Sequence, residues 1–173
     1  MTSNLSQRIN FIELKKHPNI MHDSAIYGGR VSYFKAPKMK GRVTIFPSGK
    51  LISVGTTSET VATKELELCK KFLVGIKMIT EVELHFKVQN IVAVTSFDKI
   101  PDFETMIQTY GLTYDPESFP AGILKILEPY TATALIFPSG KVVISGMHSE
   151  KQIEPITRKI KEMLHSDLQS RNA

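Results

Sequence analysis

The stretch Ile45-Phe46-Pro47-Ser48-Gly49-Lys50 recurs as Ile136-Phe137-Pro138-Ser139-Gly140-Lys141, and the correspondence continues through Gly55 and Gly146, Ser58 and Ser149, Glu59 and Glu150. The displacement is a constant 91 residues, and 9 of 15 aligned positions are identical, where chance leaves about one. The chain is a tandem duplication. Solenoid repeats run about 20–50 residues, so a period this long describes two half-domains, residues 1–81 and 82–173, fused into one pseudo-symmetric body. Such a body offers a ligand two similar surfaces.

With 173 residues and 42% hydrophobic content the chain can bury a core. No apolar run approaches a membrane span, and Met1-Thr2-Ser3-Asn4-Leu5-Ser6 lacks the apolar centre of a signal peptide, so an intracellular protein with no membrane partner is expected. The single cysteine, Cys69, has no internal disulfide partner, and its helical spacing places it in the core. Net charge is +5, unevenly spread: residues 1–81 hold 13 Lys/Arg against 6 Asp/Glu, and residues 82–173 hold 9 against 11. That asymmetry suggests a polyanionic partner touched mainly by the first repeat; a solvated basic surface is the plainer alternative.

In the second repeat, period-two alternation over 82–90 followed by Ile91-Val92-Ala93-Val94 predicts one long strand. Pro101 opens a short helix with apolar residues at 103, 106 and 107, which Gly111 ends. Three antiparallel strands follow at 123–127, 133–137 and 142–145, separated by Glu128-Pro129 and Pro138-Ser139-Gly140. Ile153, Ile156, Ile160 and Leu164 then mark one face of a closing helix, started either by a Ser149/Gln152 capping box or with Pro155 in its first turn. The first repeat matches the later part of this plan, with strands near 31–36, 42–46 and 51–54 and a helix burying Ala62, Leu66, Cys69, Leu73 and Ile76. Residues 1–26 read as a divergent segment without a first strand, their one candidate helix interrupted by Pro18. Helices on one side of an antiparallel sheet leave the other side free.

The run Tyr114-Asp115-Pro116-Glu117-Ser118-Phe119-Pro120, then Glu128-Pro129, Ala134 to Val143 and Ser145-Gly146, resembles the core domain of the TATA-box-binding protein family, and Phe86-Lys87-Val88-Gln89-Asn90-Ile91-Val92-Ala93 resembles that family's opening strand. The resemblance covers about residues 27–165. It implies an α+β fold: a pseudo-two-fold saddle of two tandem repeats, with a curved antiparallel ten-stranded sheet and helices on the convex face. It also implies a general transcription initiation factor that binds and bends A·T-rich promoter DNA through the minor groove. Its implied partners are double-stranded DNA, the B-type general transcription factor and the RNA polymerase machinery. No cofactor or metal is implied. Such a protein sits with the genome, in the nucleus of a eukaryote or the cytoplasm and nucleoid of an archaeon.

The minor groove displays acceptors that barely distinguish A·T from T·A, so its reader needs few polar groups, small or branched apolar residues, and wedges. By resemblance, Phe119 and Phe137 are paired wedges and Asn90 is the groove-centre donor. Val92, Leu135, Val143 and Ser145 form the groove floor, and Lys125 and Lys141 contact phosphates. In isolation a phenylalanine beside a turn reads as ordinary core; inside this motif it reads as a wedge. In the first repeat Phe46, Lys50 and Ile52 match the pattern. Tyr27 stands at the first wedge, followed by Gly28-Gly29, while Thr44 and Val54 replace the family's Leu and Thr. Tyr33 occupies an expected basic position, and no Asn matches Asn90. Lys35, Lys38, Lys40 and Arg42 are candidate phosphate contacts around an extended turn: Pro37 to Phe46 spans 9 residues and Pro129 to Phe137 spans 8. That turn is read as a phosphate clamp, with a soluble loop as the alternative. Asp115 and Glu117 are the candidate partner-binding residues.

Two rival functions stand beside this one. A divergent relative acting as an adaptor between proteins accounts for the altered first repeat and predicts no specific DNA bending. An enzyme ranks third, because His17, His22, His85, His148 and His165 are scattered without metal-ligand spacing and no nucleophile triad or phosphate-binding glycine loop accompanies them.

Overall fold

Alternating apolar and polar residues build one antiparallel sheet in each repeat of the computed structural model, which describes residues 1–98 and 102–166. The first sheet contains β1 (Thr2–Asn4), β2 (Ile20–Met21), β3 (Ser32–Phe34), β4 (Arg42–Ile45) and β5 (Lys50–Val54) in the order β1-β5-β4-β3-β2. Between β1 and β2 lies a four-residue helix, α1 (Phe11–Leu14), whose cap Asn10 accepts a hydrogen bond from the Ile12 N–H at 3.0 Å. After β5 comes the long helix α2 (Glu59–Gly75), capped by Ser58, which packs on β4 and β5. Ala62, Leu66, Cys69 and Leu73 bury on one stripe, and Ile76 caps the end through its N–H to Phe72.

The second unit repeats this order with β6 (Ile91–Ser96), α3 (Phe103–Tyr110), β7 (Gly122–Ile126), β8 (Ala132–Ile136), β9 (Lys141–Met147) and α4 (Ile153–Ser166), its sheet running β6-β9-β8-β7. Asp102 caps α3, and Gly111 ends it in the left-handed conformation, φ 67°, that glycine adopts without penalty. The expected start at Pro101 lies outside the described residues. At α4 both expected starts are used in sequence. Ser149 and Gln152 form a capping box around a single 3₁₀ turn, and α4 proper then begins with Pro155 in its first turn, where a missing N–H costs nothing.

Residues 1–26 do supply a counterpart of the opening strand, contrary to the expectation that they lack one. β1 pairs with β5 as β6 pairs with β9, and the Leu5 N–H reaches the Gly49 carbonyl at 3.0 Å as Phe97 reaches Gly140 at 2.9 Å. Pro18 interrupts nothing, since α1 has already ended at Leu14. The strand expected over 82–94 is divided. Residues 91–96 form β6, whereas Lys87 makes a single antiparallel bridge with Thr2, because three-residue β1 offers few rungs. The Ser3 hydroxyl adds a bond to the His85 carbonyl at 2.8 Å. The chain accordingly separates into units at Gln89/Asn90, eight residues beyond the repeat boundary at 81/82. Named strands number five and four among the described residues, and a Thr113–Ile123 bridge stands where β2 lies in the first unit.

Each unit has its own core. Phe34, Val43, Ile45, Leu51, Leu66 and Leu73 anchor the first, and Leu124, Ala134, Ile136, Ile144, Ile156 and Ile160 anchor the second. Lys70 binds the 82–89 segment to the first core: its ammonium pairs with Glu81 at 2.8 Å and Glu67 at 3.0 Å and donates to the Val82 carbonyl at 3.1 Å. The hydrogen bonds to Glu81 and Glu67 raise its pKa above the ordinary 10.5. A raised lysine pKa contributes stability below about pH 10.5 that is lost as pH climbs through the folded value. Lys70→Met is therefore expected to lower the thermal midpoint between pH 7 and 9, with the difference from wild type shrinking above about pH 10.5 in a melting series.

Candidate nucleic-acid interface

Strand periodicity sends every second side chain away from the helices, and this face carries the candidate residues. In the second unit the cross-strand pairs place Val94, Val143, Leu135 and Ile123 in one row across all four strands. Their neighbours in sequence, Val142, Ala134, Ile136 and Leu124, are buried on the helix side. The equivalent row in the first unit is Thr2, Ile52, Thr44, Tyr33 and Met21. Val92 and Val94, at 55% and 62% exposure, show how bare this apolar face is.

Of the expected residues, Thr44, Phe46, Lys50, Ile52 and Val54 share the open face of the first unit, and Val92, Lys125, Leu135, Phe137, Lys141, Val143 and Ser145 share that of the second. Val94, Ile123, Thr133 and Met21 belong to the same faces and were missed. Extending the two-residue alternation from Val92 and Lys125 identifies Val94 and Ile123. Met21 lies on a two-residue strand too short to show any period.

The two phenylalanine turns are built alike. Phe46 N–H bonds to Lys50 O and Gly49 N–H to Phe46 O, and Phe137, Lys141 and Gly140 repeat both bonds at 2.9 Å. Lys141 Nζ lies 5.9 Å from the Phe137 ring centroid. Phe119 is 42% exposed at the end of a loop organised by Asp115, whose carboxylate accepts from the Ser118 hydroxyl at 2.6 Å and from the Glu117 N–H at 3.2 Å. Those bonds, Ser118 first, lower the Asp115 pKa. Asp115 thus shapes the loop that carries Phe119, while Glu117 projects from it. Tyr27 is 74% exposed and begins a run of left-handed residues, φ 49° followed by 60° and 71° at Gly28 and Gly29. Only glycine enters that region readily, so the pair is a turn device.

Asn90 is oriented by a bulge. The β6–β9 register shifts between Ile91 and Ala93, and Gly146 takes up the extra residue with φ 94°. The freed Gly146 N–H donates to Asn90 Oδ1 at 2.8 Å. Because that N–H can only donate, the carboxamide oxygen must face it, and the NH₂ keeps two donors without a partner among the described residues. β1 corresponds to β6 from Val94 onward.

Two expectations for the first unit change. The hairpin registers pair Ser32 with Ile45 and Gly122 with Ile136, which aligns Tyr33 with Ile123 and Lys35 with Lys125. The basic position is therefore Lys35: between equivalent rungs the first hairpin is one residue shorter than the second, Ser32 to Ile45 against Gly122 to Ile136, and that offset concealed the match. Lys35 is nevertheless no open cation, because its ammonium donates to the carbonyls of Met39, Lys40 and Gly41. Tyr33 lies beneath Arg42, whose guanidinium sits 4.5 Å from the ring centroid. Lys38, Lys40 and Arg42 are exposed.

No group of three or more His, Cys, Asp or Glu among the described residues is placed to hold a metal. No described helix is long and apolar enough to cross a membrane. Fold and site together define a duplicated α+β protein that presents an open, apolar, cation-edged sheet face in each half. The sequence profile of "Transcription factor TFIID (or TATA-binding protein, TBP)" matches residues 85–166. The TATA-box-binding protein of Cenarchaeum symbiosum is 39% identical over 153 residues, covering 88% of this chain and 83% of that protein. That of Methanopyrus kandleri is 31% identical over 170 residues, covering 88% and 90%. The solved structure of Methanococcus jannaschii TBP shares the fold, with a TM-score of 0.80 at 24% identity over 95% of this chain and 94% of that one. The chain belongs to the TATA-box-binding protein family and is a transcription factor of that family.

Facing is testable at adjacent residues. Ile136→Ala removes buried core and is expected to cost about 2–5 kcal/mol in urea unfolding. Leu135→Ala, on the open face, is expected to cost about 1 kcal/mol or less.

Proposed function

We propose that the chain binds double-stranded, A·T-rich promoter DNA through the minor groove, bends it, and nucleates an initiation complex with a B-type general transcription factor and RNA polymerase. The carrying observation is the open face itself: rows of branched apolar residues in which Val92, Val94 and Ile123 are exposed and Leu135, Val143 and Ile52 half-buried, phenylalanines at matching turns, and a carboxamide fixed with its donors free. A groove lined by acceptors and lacking methyl landmarks is complemented by such a surface, since few polar groups are needed and small apolar ones permit close approach. Relatives named for TATA-box binding support the same reading.

In this mechanism Asn90 donates to base-edge acceptors at the groove centre, while Val92, Val94, Val143, Leu135, Ile52 and Thr44 lie along the floor. Phe119 with Phe137, and Tyr27 with Phe46, enter base steps at the two ends. Kinking by apolar wedges is the family's known mode and enters here as a premise. Lys50, Lys125, Lys141 and the turn cations Lys38, Lys40 and Arg42 neutralise phosphates and make binding salt-dependent. Glu117 meets a cationic partner surface beside the DNA. The protein works wherever the genome is held.

A bending-sensitive binding assay on A·T-rich and G·C-rich duplexes at two salt concentrations tests this reading. Wild type is expected to prefer and bend the A·T-rich duplex. Phe119→Ala with Phe137→Ala is expected to remove most of the bend and at least tenfold of the affinity, about 1.4 kcal/mol, while keeping the wild-type fold by circular dichroism. Equal binding to both duplexes without bending would instead support the adaptor.

The partner surface has its own test. Glu117→Lys is expected to weaken ternary complex formation with the B-type factor in a mobility-shift assay, with binary DNA affinity equal or slightly higher. Asp115 is unsuitable for charge reversal, since the loop carrying Phe119 depends on it. Equal losses in binary and ternary binding would place Glu117 on the DNA.

A further inference from the structure

The Lys38–Arg42 turn is built with more support than a solvent loop requires. Lys35, itself an exposed residue, donates its ammonium to three successive carbonyls of the turn, Met39 O at 2.9 Å, Lys40 O at 2.9 Å and Gly41 O at 2.5 Å. A lysine ammonium has three donors and no acceptor, so this one is saturated by the turn. Three converging carbonyls repel one another unless a cation lies between them. From the helix side Glu65 of α2, only 5% exposed, accepts the Gly41 N–H through Oε1 at 2.9 Å. Gly41 has no space for a side chain, because a β-carbon there would collide with the Val54 carbonyl and Glu65 Oε2. Met39 points into the core, and its sulfur accepts the Ala36 N–H at 3.1 Å. The backbone of the turn is thus held from both sides, while Lys38, Lys40 and Arg42 extend from it into solvent.

Lys35 stands at the rung that Lys125 holds in the second unit, where Lys125 is exposed opposite Thr133. In the first unit the side chain at that rung is also exposed, but its ammonium is committed to the turn's carbonyls, and Lys38, Lys40 and Arg42 are presented beside it. We infer that Lys35 and Glu65 are positioning residues that preform the 38–42 turn as a clamp for DNA backbone phosphates, so that the ordering cost is met in folding and not at binding. The inference rests on the DNA-binding reading above and adds to it which residues touch phosphate and which hold those residues in place.

The test measures affinity for one A·T-rich duplex as a function of salt. It compares wild type, Lys35→Met, Glu65→Ala, Glu65→Gln, the triple variant Lys38→Ala/Lys40→Ala/Arg42→Ala, and the triple variant combined with Lys35→Met. Each phosphate contact contributes about 0.9 to the logarithmic salt slope. Lys35→Met is expected to lower the slope by more than one contact's share and the affinity at least tenfold, yet to change nothing beyond twofold in the triple background. Glu65→Ala should behave like Lys35→Met, and Glu65→Gln, which keeps an acceptor for Gly41, should stay within twofold of wild type. Amide exchange at Gly41 in the free protein should accelerate in Lys35→Met and Glu65→Ala, a readout that a direct contact would not move. If Lys35→Met fails to fold, Glu65→Ala carries the same comparison with Lys35 in place. A slope reduced by about 0.9 in both backgrounds would make Lys35 a direct contact and overturn the inference, as would unchanged affinity, slope and exchange. Absence of salt-dependent duplex binding by wild type would overturn the functional reading itself, a result distinct from both.

Discussion

One-sided burial of an antiparallel sheet is the constraint on which the rest of this structure depends. Each unit has long helices on one side only, so alternate residues of its strands enter a core and their neighbours remain at the surface. Ile136 and Leu135 are adjacent in the chain, yet one is completely buried and the other, half-buried, lies in the open-face row with Val143 and Ile123. A one-residue slip in any strand would exchange the two sets, so the packing that stabilises the fold also specifies which side chains a ligand meets. Val92 and Val94 on that surface add nothing to a core. Their retention in an exposed apolar row is consistent with a surface built to be covered.

Duplication supplies two such surfaces, and divergence has made them unequal. The phenylalanine turns have the same hydrogen bonds in both halves, down to the glycine that closes each. Around them the chemistry differs. The second unit has Asn90 on a glycine bulge and a row of aliphatic residues. In the first, Tyr33 is stacked under Arg42 and the β3–β4 turn carries Lys38 and Lys40. The charge imbalance between the repeats is therefore expressed in specific places, above all where Lys35 and Glu65 hold the cationic turn from opposite sides.

Much of this was legible in the residues alone. The 91-residue repeat established two halves, period-two alternation established which strand residues share a face, and the turn and cap residues Gly111, Ser149 and Gln152 acted as their chemistry requires. These are local properties, decided by neighbours within a few positions, and a chain carries them in any context. The candidate contacts on β4, β5, β8 and β9 came from the family resemblance, and the alternation places them on one face of each sheet.

Tertiary structure decided whatever depends on partners distant in sequence. β1 is three residues with a buried serine and shows no period, so its place as the first strand appears only through its pairing with β5. Residues 82–89 alternate like the strand that follows them but belong to the first unit, because Thr2, Ser3 and Lys70 bind them. Lys35 reads as one more free surface cation until the turn's carbonyls accept its three donors, and Glu65 as one more helix carboxylate until Gly41 meets it 24 positions away. The sequence by itself determined the repeat, the alternation and the residue types available to a ligand. Three-dimensional packing alone decided which charges face outward and which are used internally, because a hydrogen-bond donor is assigned by the acceptors that folding brings to it.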